Sequence, residues 1–198
     1  MRFSTKILAI AVFVAVLPML LQAEIELPLH QKRLSEKVLI VWTCDHMQSI
    51  ATVALATEKG IVVIETSLIR SHDARIRQMI EKEFGRNDIK YLINTHYHHD
   101  HTCGNQIYSD ATIVGHNNIP AGMKGELTGD GLVKLVDKFK GMLKDREEAL
   151  ADSEPGSDEH KYFSEFITCL KLAIEELQNG FIPTYPSVMF EKNLTLDM

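Results

Sequence analysis

Between Thr95 and Asn105 the chain reads THYHHDHTCGN, placing four of its nine histidines and one aspartate within the six residues His96 to His101. Imidazoles at this density have little use as core packing or as solvated surface, whereas a mixed nitrogen and oxygen donor set suits zinc and its first-row neighbours. The preceding YLIN, residues Tyr91 to Asn94, reads as a short buried strand, so the donors are expected on the loop where that strand ends. His96 and His98 stand two apart, which in extended chain puts both rings on one side, able to grip one ion. Asp100 and His101 follow where the chain turns and are aimed differently. A second ion beside the first is the natural use of that change of direction.

The surrounding sequence supplies a scaffold for such a loop. VLIVW, Val38 to Trp42, and TVALA, Thr52 to Ala56, read as strands, and GIVVIET follows across a turn at Glu58, Lys59 and Gly60, which together predict a hairpin. Ser71 is placed to cap a helix from His72 to Phe84, with Ile76, Ile80 and Phe84 at fourfold spacing and Gly85 in the C-terminal capping place. A strand from Ile89 to Asn94 then delivers the metal loop, and this order of strand, helix and strand is what an α/β layer needs to bring loop residues to a sheet edge. From Gly131 to Gly180 apolar residues recur at helical spacing in two runs, Leu132 to Leu150 and Phe163 to Leu177. They predict amphipathic helices over 131–152 and 158–179. Pro155 and Gly156 break the pair, Ser157 caps the second helix and Gly180 ends it.

The pattern His96-x-His98-x-Asp100-His101, placed after a hydrophobic strand and followed by Gly104 and Asn105, resembles the metal motif of the metallo-β-lactamase fold hydrolases. The likeness extends upstream through VALATEKGIVVIET, Val53 to Thr66, and downstream through ATIVGHNNI, Ala111 to Ile119, covering most of residues 38–122. The resemblance implies an α/β fold, the first half of that family's αβ/βα sandwich, with residues 131–180 as a helical-hairpin insertion. It also implies zinc as cofactor, up to two ions, with His96 and His98 on the first and Asp100 and His101 on the second. Glu65 stands where the family usually has an aspartate supporting the metal loop, and its extra methylene could move that support. Cys103 stands where a small residue is usual, so smallness is its expected role, against a thiol that binds metal or oxidises. Another histidine, a bridging aspartate and a final histidine complete the family's site from a second half. Those are missing here, and VMFEKNLTLDM, with Phe190, Leu194 and Leu196 at apolar positions, reads like strands opening that half. The expectation is a truncated domain.

Composition places the rest. Arg2 and Lys6 precede an apolar run from Ile7 to Leu21, with Ala23 before the acidic Glu24. The run is short for a membrane span, so residues 1–23 are expected to be a cleaved secretory signal, the alternative being an uncleaved anchor. That leaves residues 24–198 as one domain, periplasmic or secreted, without stable membrane association. Cleavage removes two basic groups and no acidic one, taking the formal charge from −6 to −8, which speaks against nucleic acid as a partner. Cys44, Cys103 and Cys169 are odd in number, so an oxidising compartment allows at most one internal disulfide.

By resemblance the function is that of a metal-dependent hydrolase, in which activated water attacks an ester, thioester, lactam or related bond of a small-molecule substrate, with Asp100 as ligand and proton acceptor. Four ligands shared by two ions give two each, below the three protein ligands usual for a catalytic zinc, so impaired activity is expected. The competing reading is a non-catalytic truncated or split-chain protein that keeps a weak metal-binding loop. A second chain or a homodimer covering the open sheet edge is the expected partner. Nucleic-acid processing and flavin-linked redox chemistry, also found on this fold, fit neither the signal nor the acidic charge. The hairpin reads as a substrate lid or as packing alone, and its apolar faces favour packing. Tyr97 and His99 are expected to support the loop rather than to do chemistry, and His116 and Asp73 to be structural.

Overall fold

The computed structural model describes residues 27–47 and 49–198. The expected signal at residues 1–23 lies outside them, and among the described residues no helix is long and apolar enough to cross a membrane.

Among the described residues, seven strands form one mixed sheet in sequence order: β1 (Leu29–Ser35), β2 (Val38–Thr43), β3 (Thr52–Thr57), β4 (Gly60–Ile64), β5 (Ile89–Ile93), β6 (Thr112–His116) and β7 (Val188–Phe190). The first four pair antiparallel and the last four parallel. Where the sheet turns parallel the chain must cross over, and it does so through α1 (Arg70–Phe84). Leu39, Val41, Ala54, Ile61, Val63, Leu92 and Ile113 meet Ile76 and Ile80 of that helix in one core cluster. By the strand alternation Val38, Ile40, Trp42, Val53 and Leu55 project from the opposite face, and each is only half-buried.

α1 ends as its sequence predicts: Gly85 adopts φ +65°, and its N–H reaches the carbonyls of Glu81 and Lys82. It does not begin as predicted. The helix starts at Arg70, and the carboxylate of Glu176 accepts from the backbone N–H groups of Arg70 and Ser71, so Ser71 is not the cap. A remote carboxylate takes over here because it satisfies two orphan donors at once and faces the positive end of the helix dipole.

The helical hairpin forms with nearly the expected bounds, α4 (Gly129–Asp152) and α5 (Asp158–Gln178), following two shorter helices, α2 (His99–Thr102) and α3 (Ile119–Leu127). Ser157 accepts from the His160 N–H as the α5 cap. The helices run antiparallel, since Ser153 meets His160, the Arg146 guanidinium lies over Phe163 and Phe166, and Lys171 pairs with Glu147. Their buried faces join Leu27, Cys44, Ile69, Cys103, Met123 and Leu127 in a second core cluster above the strand ends. The hairpin is therefore core, as its apolar faces suggested.

β1, which the sequence did not announce, is an edge strand whose last five residues are exposed and so has no apolar alternation. One expectation from the sequence is corrected. The segment after Pro186 does not open a second sheet: β7 is three residues long and adds to the same sheet beside β6, while residues 191–198 carry no strand. Asp197 instead meets the ammonium groups of Lys59 and Lys90, Leu194 stays exposed, and Phe190 packs edge-on to His116.

Candidate metal centre

β5 runs between β4 and β6, and the Asn94 N–H bonds the Val114 carbonyl at 2.9 Å, so the last ordered rung of the ladder fixes where the loop departs. Thr95 to His98 leave the sheet and α2 makes a single turn, closed by the Thr102 hydroxyl donating to the His98 carbonyl at 2.9 Å. A continuing 3-10 turn, Cys103–Tyr108, buries Cys103, Gly104 and Asn105.

His96, His98 and His101 lie near one another in this layout, with Asp100 beside His101. The His96 and His98 rings lie 4.6 Å apart edge to face, and the His96 and His101 rings 4.0 Å apart. Asp100 Oδ2 stands 3.7 Å from His101 Nε2. Among the described residues, donor atoms of Glu65, His96 and His101 all lie within 4.8 Å of one another, a group that leaves out His98 and Asp100. The His96 ring thus stands closer to His101 than to His98. Burial, helped by the two neighbouring imidazoles, pulls the His96 pKa below its usual 6.5, which favours the neutral ring a metal requires.

Glu65 lies within reach of the cluster, yet both of its oxygens are already engaged. Oε1 accepts from the Thr95 N–H at 2.6 Å and Oε2 meets His101 Nδ1 at 2.6 Å. A carboxylate accepting from Nδ1–H leaves the lone pair on Nε2, facing Asp100 and His96. The donor set therefore fits a metal of the zinc class with Glu65 as orienting support, and the added methylene loses no contact. Glu65 has φ +68°, one of two non-glycine residues in the left-handed region among those described. Such backbone persists where its surroundings over-determine it.

The peptide of His101 is held as firmly as its ring. Its carbonyl accepts from the Thr66 hydroxyl at 2.9 Å and from the Asn94 side chain at 3.1 Å. Asn94 and Asn105 exchange two amide hydrogen bonds of 3.0 and 2.9 Å. Gly104 is required here, because a Cβ would fall 2.0 Å from Asp73 Oδ2, and that buried carboxylate holds the Ser67 N–H and hydroxyl. The sequence reading assigned no role to Asn94 or Thr66. The Gly104-Asn105 step was the available signal.

The neighbours behave as support. His99 Nδ1 pairs with Glu126 at 2.9 Å, and its ring packs on Phe139. Tyr97 lies over Gly122, where a Cβ would enter its ring. Cys103 is fully buried and its thiol is pushed well up by desolvation, consistent with a residue chosen for size. Beside Asp100 opens a cavity of about 140 Å³, walled by Leu68, Ile69, Ile76 and Phe166 and edged by Ser49 and His72.

Metal donors on a loop at the carboxyl end of a parallel strand, oriented by a carboxylate behind them, define a candidate metal centre on an α/β sheet. Residues 48–138 match the family model of the metallo-beta-lactamase superfamily. Similar solved structures include a metallo-beta-lactamase from Hirschia baltica (14% identity, 48% of this chain and 47% of that one, TM-score 0.43). Another is from Pontibacter korlensis (18% identity, 52% and 50%, TM-score 0.44). A third is FIM-1 from Pseudomonas aeruginosa in a mono-zinc form (15% identity, 49% and 47%, TM-score 0.41). The chain spans about half the length of these structures. No curated protein matches it.

Proposed function

We propose that the chain provides the metal-binding part of an exported, zinc-dependent hydrolase acting on an ester, thioester, lactam or related bond of a small molecule. The observation that carries this reading is the Glu65 clamp, which fixes the His101 tautomer and presents Nε2 beside Asp100 and His96. His96 and His98 would hold the first ion, and Asp100 and His101 the second. A bound zinc lowers the pKa of a coordinated water toward about 7 and polarises the bond to be cleaved. In this reading Asp100 receives the proton, and the cavity beside it, walled by Leu68, Ile69 and Phe166, takes the apolar part of a small substrate.

Ligand count sets the expected strength. Four residues shared by two ions fall below three per catalytic zinc, so residues 24–198 alone bind zinc weakly and turn over slowly. A second chain or a homodimer covering the open sheet edge is the proposed partner. Calorimetric zinc titration with thioester and nitrocefin assays tests the reading: weak binding and slow hydrolysis, both lost in His98→Ala and His101→Ala, are expected. Hydrolysis that persists in both variants would sink the metal mechanism, and submicromolar affinity with fast turnover would show that further ligands join the four.

A further inference from the structure

The end of β2 and the middle of α5 meet at a junction that the metal centre does not use. Glu165 of α5 accepts from the backbone N–H groups of Asp45, His46 and Met47 at 3.1, 2.8 and 2.8 Å, and its Oε1 lies 3.1 Å from His46 Nδ1. One carboxylate thus seats the whole 45–47 turn on the helix. One helical turn further on, Cys169 Sγ lies 3.7 Å from Cys44 Sγ, and both side chains are buried. Cys44 itself has φ +70°, so the backbone is held in an uncommon conformation that delivers its side chain to the helix. Two sulfurs in contact, on elements registered by independent hydrogen bonds, need to close by less than about 2 Å to reach bonding distance.

We propose that Cys44 and Cys169 are the site of an internal disulfide that staples the helical hairpin to the sheet, with Cys103 remaining a thiol. The oxidant is a low-molecular-weight disulfide of the glutathione class. A Cys44 or Cys169 thiolate attacks it, one glutathione thiolate leaves, and the second cysteine displaces the other from the mixed disulfide. Two protein thiols lose two electrons and two protons, the S–S bond of the oxidant breaks, and two glutathione thiols form. The bond closes a loop across a sequence separation of 125 residues, which restricts the unfolded chain strongly. Stapling holds Cys169 where it lines the cavity beside Asp100.

The test exposes residues 24–198 to oxidised glutathione in two arms, one folded and one refolding from the reduced state so that burial does not bar the oxidant. Intact mass, alkylation after denaturation and peptide mapping follow. The expected product is 2 Da lighter, alkylates once, at Cys103, and yields a Cys44–Cys169 cross-linked peptide; Cys103→Ser yields the same cross-link. Its melting midpoint rises on the order of 10 °C, and reductant reverses the rise. Three alkylated cysteines in both arms, or cross-links through Cys103 or between chains alone, would overturn the proposal.

Discussion

Glu65 serves two partners with its two oxygens, and that division makes it the most informative residue to change. Glu65→Gln can accept from only one of Thr95 N–H and His101 Nδ1–H and must turn an amide donor toward the other. The substitution is expected to weaken zinc binding roughly 10 to 100-fold, read by calorimetry, while the melting midpoint moves little. A second prediction concerns the adjacent buried pair His72 and Asp73. Burial lowers the His72 pKa to about 4, with the charge of Arg75 adding to it, and His72 Nε2 has no hydrogen-bond partner among the described residues. Burial also raises Asp73 to about 7 against the opposing hydrogen bonds from Ser67. Neutral His72 contributes stability that is present above pH 6.5 and lost as the pH falls toward 4. Neutral Asp73 contributes stability present below pH 3.8 and lost as the pH rises through 7. The first is about 3 kcal/mol and the second about 4 kcal/mol, and being opposite in sign they largely offset each other. Asp73→Asn should therefore leave stability rising from pH 4 to 6.5, and His72→Gln should leave it falling from pH 4 to 7, both visible as melting midpoint against pH. Parallel profiles in the two variants would refute the assignment. The metal loop was legible because its histidines are crowded within six residues, and Glu65 because the family resemblance pointed to it. Asn94, Thr66, Glu165 and the Cys44–Cys169 contact were not, since partners far apart along the chain leave no local pattern.

Among the elements, the sequence announced those that carry period and punctuation. α1, α4 and α5 showed apolar spacing with Gly85, Pro155 and Ser157 at their ends, and the β2 to β4 strands showed apolar runs around a Gly turn. β1 was silent because an edge strand that faces solvent has no buried face to encode. The start of α1 was misread because its cap comes from another helix. Glu176→Ala removes acceptors for two backbone N–H groups and an ion pair with Arg70, and is expected to cost about 1–3 kcal/mol in urea unfolding. Glu176→Gln keeps an acceptor and should cost less. Equal stability of Glu176→Ala and the parent would mean that Ser71 or water caps the helix after all.

At the scale of the whole molecule the hairpin decides what can be removed. α4 and α5 give Leu135, Val136, Phe139, Cys169, Leu170, Ala173 and Leu177 to the upper core. A chain lacking residues 131–180 is therefore expected to lose cooperative thermal unfolding along with its helical circular dichroism. A sharp transition surviving the deletion would show that the hairpin only leans on the fold. The strand order carries a different consequence. Because each strand pairs with the one made just before it, the β1 to β4 meander closes only short loops, whereas β7 must wait for the 71 residues between His116 and Val188. During synthesis the sheet can grow outward one strand at a time, with hydrogen-exchange protection appearing first in β2 to β4 and last in β7.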